Sequence, residues 1–184
     1  MTTKEKQTST HTVLATRLGN VTVVQEDGTL TGLYFPRHWP RPDRTTFGLP
    51  ADGGFEEVAR QLSEYLDGDR LLFELPVGAK GTEFDRRVRE LIADVPYGQT
   101  TTYGDLARSL GPGTDPRDVG AAVGRNPLCI VIPCHRVIGS TGKLTGYAGG
   151  RTASGRCSKS STRGSCGRNM PRWRAFGRWS VGRW

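Results

Sequence analysis

Cys129-Ile130-Val131-Ile132-Pro133-Cys134-His135-Arg136-Val137-Ile138 is an apolar run broken in its second half by Pro-Cys-His-Arg. Taken alone, the run reads as a buried strand in which a cysteine is one more small apolar side chain. Cys134 does not fit that reading, because an imidazole and a guanidinium follow it directly. A neighbouring imidazole can take the thiol proton, directly or through a water, and cationic neighbours favour the thiolate. Pro133, with a fixed φ and no N–H, predicts a bend that turns the thiol out of the core. Cys129 has no such neighbours in sequence and reads as core.

Upstream, two short helical stretches surround a glycine turn. Tyr103 to Leu110 is the first, Gly111-Pro112-Gly113 the turn, and Asp115 to Arg125 the second, with Pro116 in its first turn. The pair has the shape of a helix-turn-helix, although most such pairs bind nothing in particular. Before it, Thr82 is placed to cap a helix whose stripe is Phe84, Val88, Leu91 and Ile92, ended by Pro96-Tyr97-Gly98. Further upstream the period changes. Val13 to Leu18, Val21 to Val24 and Leu30 to Phe35 alternate around Gly19-Asn20 and Glu26-Asp27-Gly28, predicting an antiparallel meander over His11 to Phe35. Arg37 to Pro50 is proline-rich and reads as a loop. Phe55, Val58, Ala59, Leu62, Tyr65 and Leu66 predict an amphipathic helix stopped near Gly68.

The 184 residues fit one domain or two small ones. The formal charge of +8 suggests an anionic partner such as nucleic acid. That charge is unevenly placed: residues 151–184 hold eight Arg, one Lys and no acid, so the first 150 residues are net −1. No apolar run reaches the roughly 18–20 residues of a membrane helix, and Met1 to Thr10 lack the apolar core of a secretory signal. Four cysteines without a C-x-x-C pair argue against zinc and against a disulfide framework. A cytoplasmic protein with no metal, no cofactor and no membrane contact is the expectation.

With these residues in place, the chain resembles the O6-alkylguanine-DNA alkyltransferases, the methylated-DNA–protein-cysteine methyltransferases. The central match is Pro133-Cys134-His135-Arg136-Val137. Gly81-Thr82-Glu83-Phe84, Val95-Pro96-Tyr97-Gly98, Thr102-Tyr103, Val119-Gly120, Asn126-Pro127 and Gly146-Tyr147-Ala148-Gly149-Gly150 support it in family order and spacing, over about residues 11–150. The resemblance implies an α+β protein. A disordered stretch 1–10 would precede a small, β-rich, RNase-H-like domain over 11–77. A helical DNA-binding and catalytic domain with the helix-turn-helix would follow over 78–150, and an irregular tail over 151–184.

It also implies direct repair of O6-alkylguanine, and of O4-alkylthymine, in double-stranded DNA by a monomer. The target nucleotide is flipped through the minor groove, and the alkyl group passes irreversibly to Cys134, once per molecule. By the same resemblance His135 is the base acting through water and Asn126 positions the site. Tyr103 helps rotate the target phosphate and protonates the leaving guanine. Arg117 fills the vacated stack, with Thr102, Tyr103 and Arg136 as further DNA contacts. Tyr147, Ala148, Gly149, Gly150, Ile132 and Pro133 form the base pocket. Taken singly, Tyr103 is equally a helix-start aromatic, Arg117 a solvated first-turn residue and Asn126 a C-cap.

Two departures stand out. Arg89 occupies a position where family members usually carry Trp, predicting a packing loss of ~1–2 kcal/mol if the site is buried. After Gly150 the family continues into a helix of the kind Lys-Arg-x-Leu-Leu-x-x-Glu, whose glutamate holds the imidazole; here the corresponding position is Ser161. Shifting the reading frame across Thr152 to Ser161 permits DGKRALLEVE, which restores that helix and its glutamate. The tail therefore reads as a frameshift at or just before Arg151. The other reading is a disordered basic extension whose arginines neutralise phosphates and whose tryptophans stack on bases. Two rival functions follow from the same residues. One is an alkylation-damage sensor that binds without transfer, a class that replaces the cysteine retained here. The other is a transcriptional regulator, for which the short segment before the first strand offers no sensor.

Overall fold

Asp27 and Gly28 both take positive φ, 48° and 78°, the geometry a two-residue hairpin turn needs to match strand twist. They join β2 (Gly19–Glu26) to β3 (Thr29–Tyr34); β1 (Ser9–Thr16) pairs with β2 through a second two-residue turn. The meander is as the alternation predicts, except that its first turn lies at Arg17-Leu18, not Gly19-Asn20. The register shifts opposite Val24 and Gln25, leaving Thr31 of β3 as the extra residue, so that Leu30 and Leu33, an odd number of residues apart, both face the core. The computed structural model describes residues 8–142; Tyr147, Ala148, Gly149, Gly150 and the basic tail lie outside them.

The stretch Arg37 to Pro50 is more ordered than its prolines suggest. Asp43 caps a 3₁₀ turn over Arg44–Phe47, and Leu49–Pro50 forms β4, which pairs parallel with β1. The sheet order is β3-β2-β1-β4. On it packs α1 (Glu56–Asp67), ended by Gly68 in the left-handed conformation. Then come α2 (Glu83–Ala93), β5 (Thr101–Thr102), α3 (Tyr103–Leu110), α4 (Pro116–Gly124) and β6 (Val137–Ile138). Thr82 and Thr102 each open their helix with a reciprocal capping box, to Asp85 and Asp105. Helices α2, α3 and α4 pack on one another.

The edge of β3 is where the two halves join. Leu30 N–H donates to Pro76 O at 2.8 Å and Leu33 N–H to Pro127 O at 2.7 Å. Cys129 N–H returns a bond to Leu33 O at 3.3 Å. The strand edge, a liability if left open, is thus consumed by the linker around Val77 and by the segment leading to Cys134. One apolar cluster runs from Val21, Leu33, Leu62 and Tyr65 through Val88 and Ile92 to Val119 and Leu128.

Candidate active site

Helix α4 ends at Gly124 with Arg125 as its C-cap, and the side chain after that closes a loop on itself. Asn126 is fully buried; its Nδ2 donates to Ile132 O at 3.0 Å and its Oδ1 accepts from Leu128 N–H at 3.1 Å. Ile132 N–H bonds Leu128 O at 2.9 Å, and Ile130 is held at φ 75°, a costly conformation for a β-branched residue. The run from Cys129 is therefore not the continuous strand its composition suggests. It is a knot of backbone followed by a 3₁₀ turn over Cys134–Arg136 and the two residues of β6.

Cys134 stays in the interior, 4% exposed, so the proline bend redirects the thiol without turning it out of the core. Hydrogen bonds hold its pKa below the ordinary thiol range. The largest is from the Cys129 side chain; Asn126 and the backbone N–H groups of Cys134 and His135 add to it and outweigh the opposing effect of burial. His135 is also buried, and loss of hydration, reinforced by the charge of Arg136, pushes its pKa down to about 3. At neutral pH it is an uncharged imidazole.

Arg136 does not belong with the DNA contacts. It is buried, with one guanidinium nitrogen donating to Val95 O at 2.5 Å and another to the Tyr65 hydroxyl at 3.1 Å, over the Tyr97 ring. A guanidinium engaged on three protein groups is not at a nucleic-acid surface. Thr102 is half-buried, and its hydroxyl is engaged with Asp105 in the cap of α3. Tyr103 follows it; its ring lies 3.8 Å from where a Cβ on Gly120 would be, so α3 and α4 approach closely there. β5 pairs parallel with β6, Thr102 opposite Ile138, which brings the start of α3 beside the segment leaving the cysteine turn. Arg117 is exposed on the first turn of α4. Ile132 and Pro133 are buried at the cysteine.

Arg89 is buried without the simple loss its replacement of an aromatic implies. Its guanidinium donates to Ala79 O at 3.0 Å; burial lowers its pKa, opposed by the charge of Asp85. Two contacts had no signal in sequence: Cys129 Sγ lies 3.6 Å from His38 Nδ1, and Tyr65 meets Arg136. They join residues 91 and 71 positions apart.

Comparison with known proteins agrees with this architecture. The family model for the 6-O-methylguanine DNA methyltransferase ribonuclease-like domain matches residues 10–79, and that for the DNA-binding domain matches residues 83–159, reaching into the tail. A methylated-DNA–protein-cysteine methyltransferase of Mycobacterium bovis is 39% identical over 133 residues, 72% of this chain and 80% of the relative. The crystal structure of the Mycobacterium tuberculosis O6-methylguanine methyltransferase superposes with a TM-score of 0.76 at 34% identity, covering 84% of this chain and 93% of that one. The same enzyme in complex with DNA gives a TM-score of 0.76 over 84% and 94% of the two chains. The chain belongs to the 6-O-methylguanine DNA methyltransferase family, with its ribonuclease-like and DNA-binding domains in that order.

Proposed function

We propose that this protein repairs O6-alkylguanine, and O4-alkylthymine, in double-stranded DNA by moving the alkyl group to Cys134. The observation that carries the reading is a buried thiol whose pKa is held below the ordinary thiol range, with the Cys129 side chain as the largest influence, in a chain of this family. The thiolate attacks the alkyl carbon, an S–C bond forms as the C–O6 bond breaks, and the electron pair returns to the guanine, which takes up a proton. A thioether has no route back, so each molecule acts once. The target atom is sealed in a duplex and must be flipped through the minor groove into a pocket. In this reading the exposed Arg117 fills the gap, Tyr103 supplies the proton, and Asn126 fixes the loop that presents the thiol. Ile132 and Pro133 line the pocket with Tyr147, Ala148, Gly149 and Gly150. The protein acts as a monomer, with residues 11–77 and 78–150 as its two domains.

His135 takes the thiol proton through water. Its low pKa leaves it in the basic form but makes a buried imidazolium costly. The family glutamate that would stabilise that cation is replaced by Ser161. Transfer by this chain is therefore slow beside a version in which the shifted-frame helix DGKRALLEVE is restored after Arg151. The same loss favours a second reading, binding of alkylated DNA without transfer. Incubation with a methylated duplex followed by intact mass separates them. A gain of one methyl group, absent in Cys134→Ala, supports repair; retention of the duplex with unchanged mass supports sensing. Full-rate single-turnover demethylation by the 184-residue chain contradicts the role given to the lost glutamate.

A further inference from the structure

We propose that Cys129 and His38 form a hydrogen-bonded relay through which the N-terminal half of the molecule stabilises the Cys134 thiolate. The proposal rests on Cys134 being the nucleophile. Cys129 is fully buried; its Sγ lies 3.6 Å from His38 Nδ1, and its side chain is the largest of the influences that lower the Cys134 pKa. His38 comes from the loop after β3, far from the helical half in sequence but seated on it in space.

Three features fix this contact. Cys129 N–H bonds Leu33 O and Leu33 N–H bonds Pro127 O, so the cysteine loop is stitched to the strand preceding His38. His38 N–H donates to Phe35 O at 3.0 Å, tightening the turn that carries the imidazole. The Tyr34 ring meets the His38 ring edge-on at a centroid distance of 5.0 Å. Gly32 permits that ring position: a Cβ there would lie 2.4 Å from Tyr34 Cε2.

Tyr34 and His38 face Cys129; the Cys129 and Asn126 side chains and the backbone of His135 act on Cys134, and Arg136 carries its charge beside the His135 ring. Burial pushes the pKa of His38 down to about 4, so it is a neutral imidazole with one N–H to give. The arrangement that serves an anion has His38 Nδ1–H donating to Cys129 Sγ and Cys129 S–H donating to Cys134 Sγ. No proton is transferred along this path. It supplies a polarised donor to the thiolate, and each link strengthens the next in a low-dielectric interior. The donor is lost as the sulfur is alkylated and its charge disappears, so the relay raises the reactive population at neutral pH at some expense in intrinsic nucleophilicity.

The test needs neither DNA nor reagent access to a buried sulfur. In protein labelled with 13Cβ-cysteine, the Cys134 resonance reports its ionisation with pH. Cys129→Ala is expected to raise the Cys134 midpoint by about one unit, leaving roughly tenfold less thiolate at neutral pH. Cys129→Ser, which keeps a donor, retains most of the wild-type value. His38→Phe raises the midpoint by a smaller amount without touching Cys129, and carries the test alone if Cys129→Ala does not fold. A midpoint in either folded variant equal to wild type overturns the relay and leaves the contact as packing. If the midpoints shift but no variant, wild type included, gains mass from methylated DNA, the assigned transfer fails while the relay stands.

Discussion

Single side chains set the chemistry here through what surrounds them. His135 and His38 are both neutral because burial penalises their charged forms, with pKa values near 3 and 4. In the unfolded chain each regains a value near 6.5, so below that pH the unfolded state binds protons that the folded state does not. Stability is therefore complete above about pH 6.5 and falls as the pH drops towards 4 for His38 and towards 3 for His135. The slope is on the order of 1.4 kcal/mol per pH unit for each histidine. Urea titrations between pH 7 and 4 check this; a flat midpoint refutes it. Arg117 makes a separate prediction. It is exposed and has no part in the core, so Arg117→Ala is expected to leave the melting temperature unchanged. It slows transfer from a duplex about tenfold, an activation cost of ~1.4 kcal/mol, and spares transfer from a free O6-alkylguanine base. Equal slowing on both substrates removes it from the flipping step.

Among the elements, local signals and tertiary demands agree most closely at the helix starts. Thr82 both caps α2 and bonds Asp85, and Asp85 is in turn held by Arg125 Nε and Nη2 at 3.1 and 2.6 Å. Burial works to raise the Asp85 pKa, but Arg125 and Thr82 together hold it below the ordinary carboxylate range. Asp85→Asn weakens the cap and the ion pair that ties α4 to α2, and about 2 kcal/mol of stability is expected to go with them. Chemical denaturation measures it. Gly48 is less forgiving. Its φ is 74°, and a Cβ would lie 1.8 Å from the Ser9 carbonyl oxygen, where β1 meets the chain entering β4. Gly48→Ala cannot be absorbed by rotating a side chain, so a loss of about 3 kcal/mol or more is expected. Thr82, Pro116 and Gly68 were legible in sequence because capping is a local interaction. The 3₁₀ turn and β4 were not, because β4 exists only by pairing with a strand some forty residues away.

For the molecule as a whole, Arg136 is the residue that binds halves together. It reaches Tyr65 on α1, Val95 after α2 and the Tyr97 ring, while its own backbone belongs to the turn that carries Cys134. A planar guanidinium can serve two acceptors and an aromatic face at once; an ammonium cannot. Arg136→Lys is expected to cost about 2–4 kcal/mol, and Tyr65→Phe, which removes only the hydroxyl, about 1 kcal/mol. Calorimetry of the two variants and their double mutant checks the order and the coupling. Near-additivity of the two losses argues against a shared contact.

The motif around Cys134, the helix caps, the hairpin turns and the basic excess of the tail are set by residues close together in sequence. They depend on covalent geometry, period and local hydrogen bonding, so the sequence by itself determined the family and most element boundaries and singled out Cys134. Folding decided what those residues touch. It drew Arg136 inward to Tyr65, kept the Cys134 thiol buried, and set His38 against a cysteine that looked like plain core. It also closed the edge of β3 with the active-site loop. Each of these depends on chain segments brought together by burying a common apolar core, and no local pattern encodes which distant side chain will be waiting there.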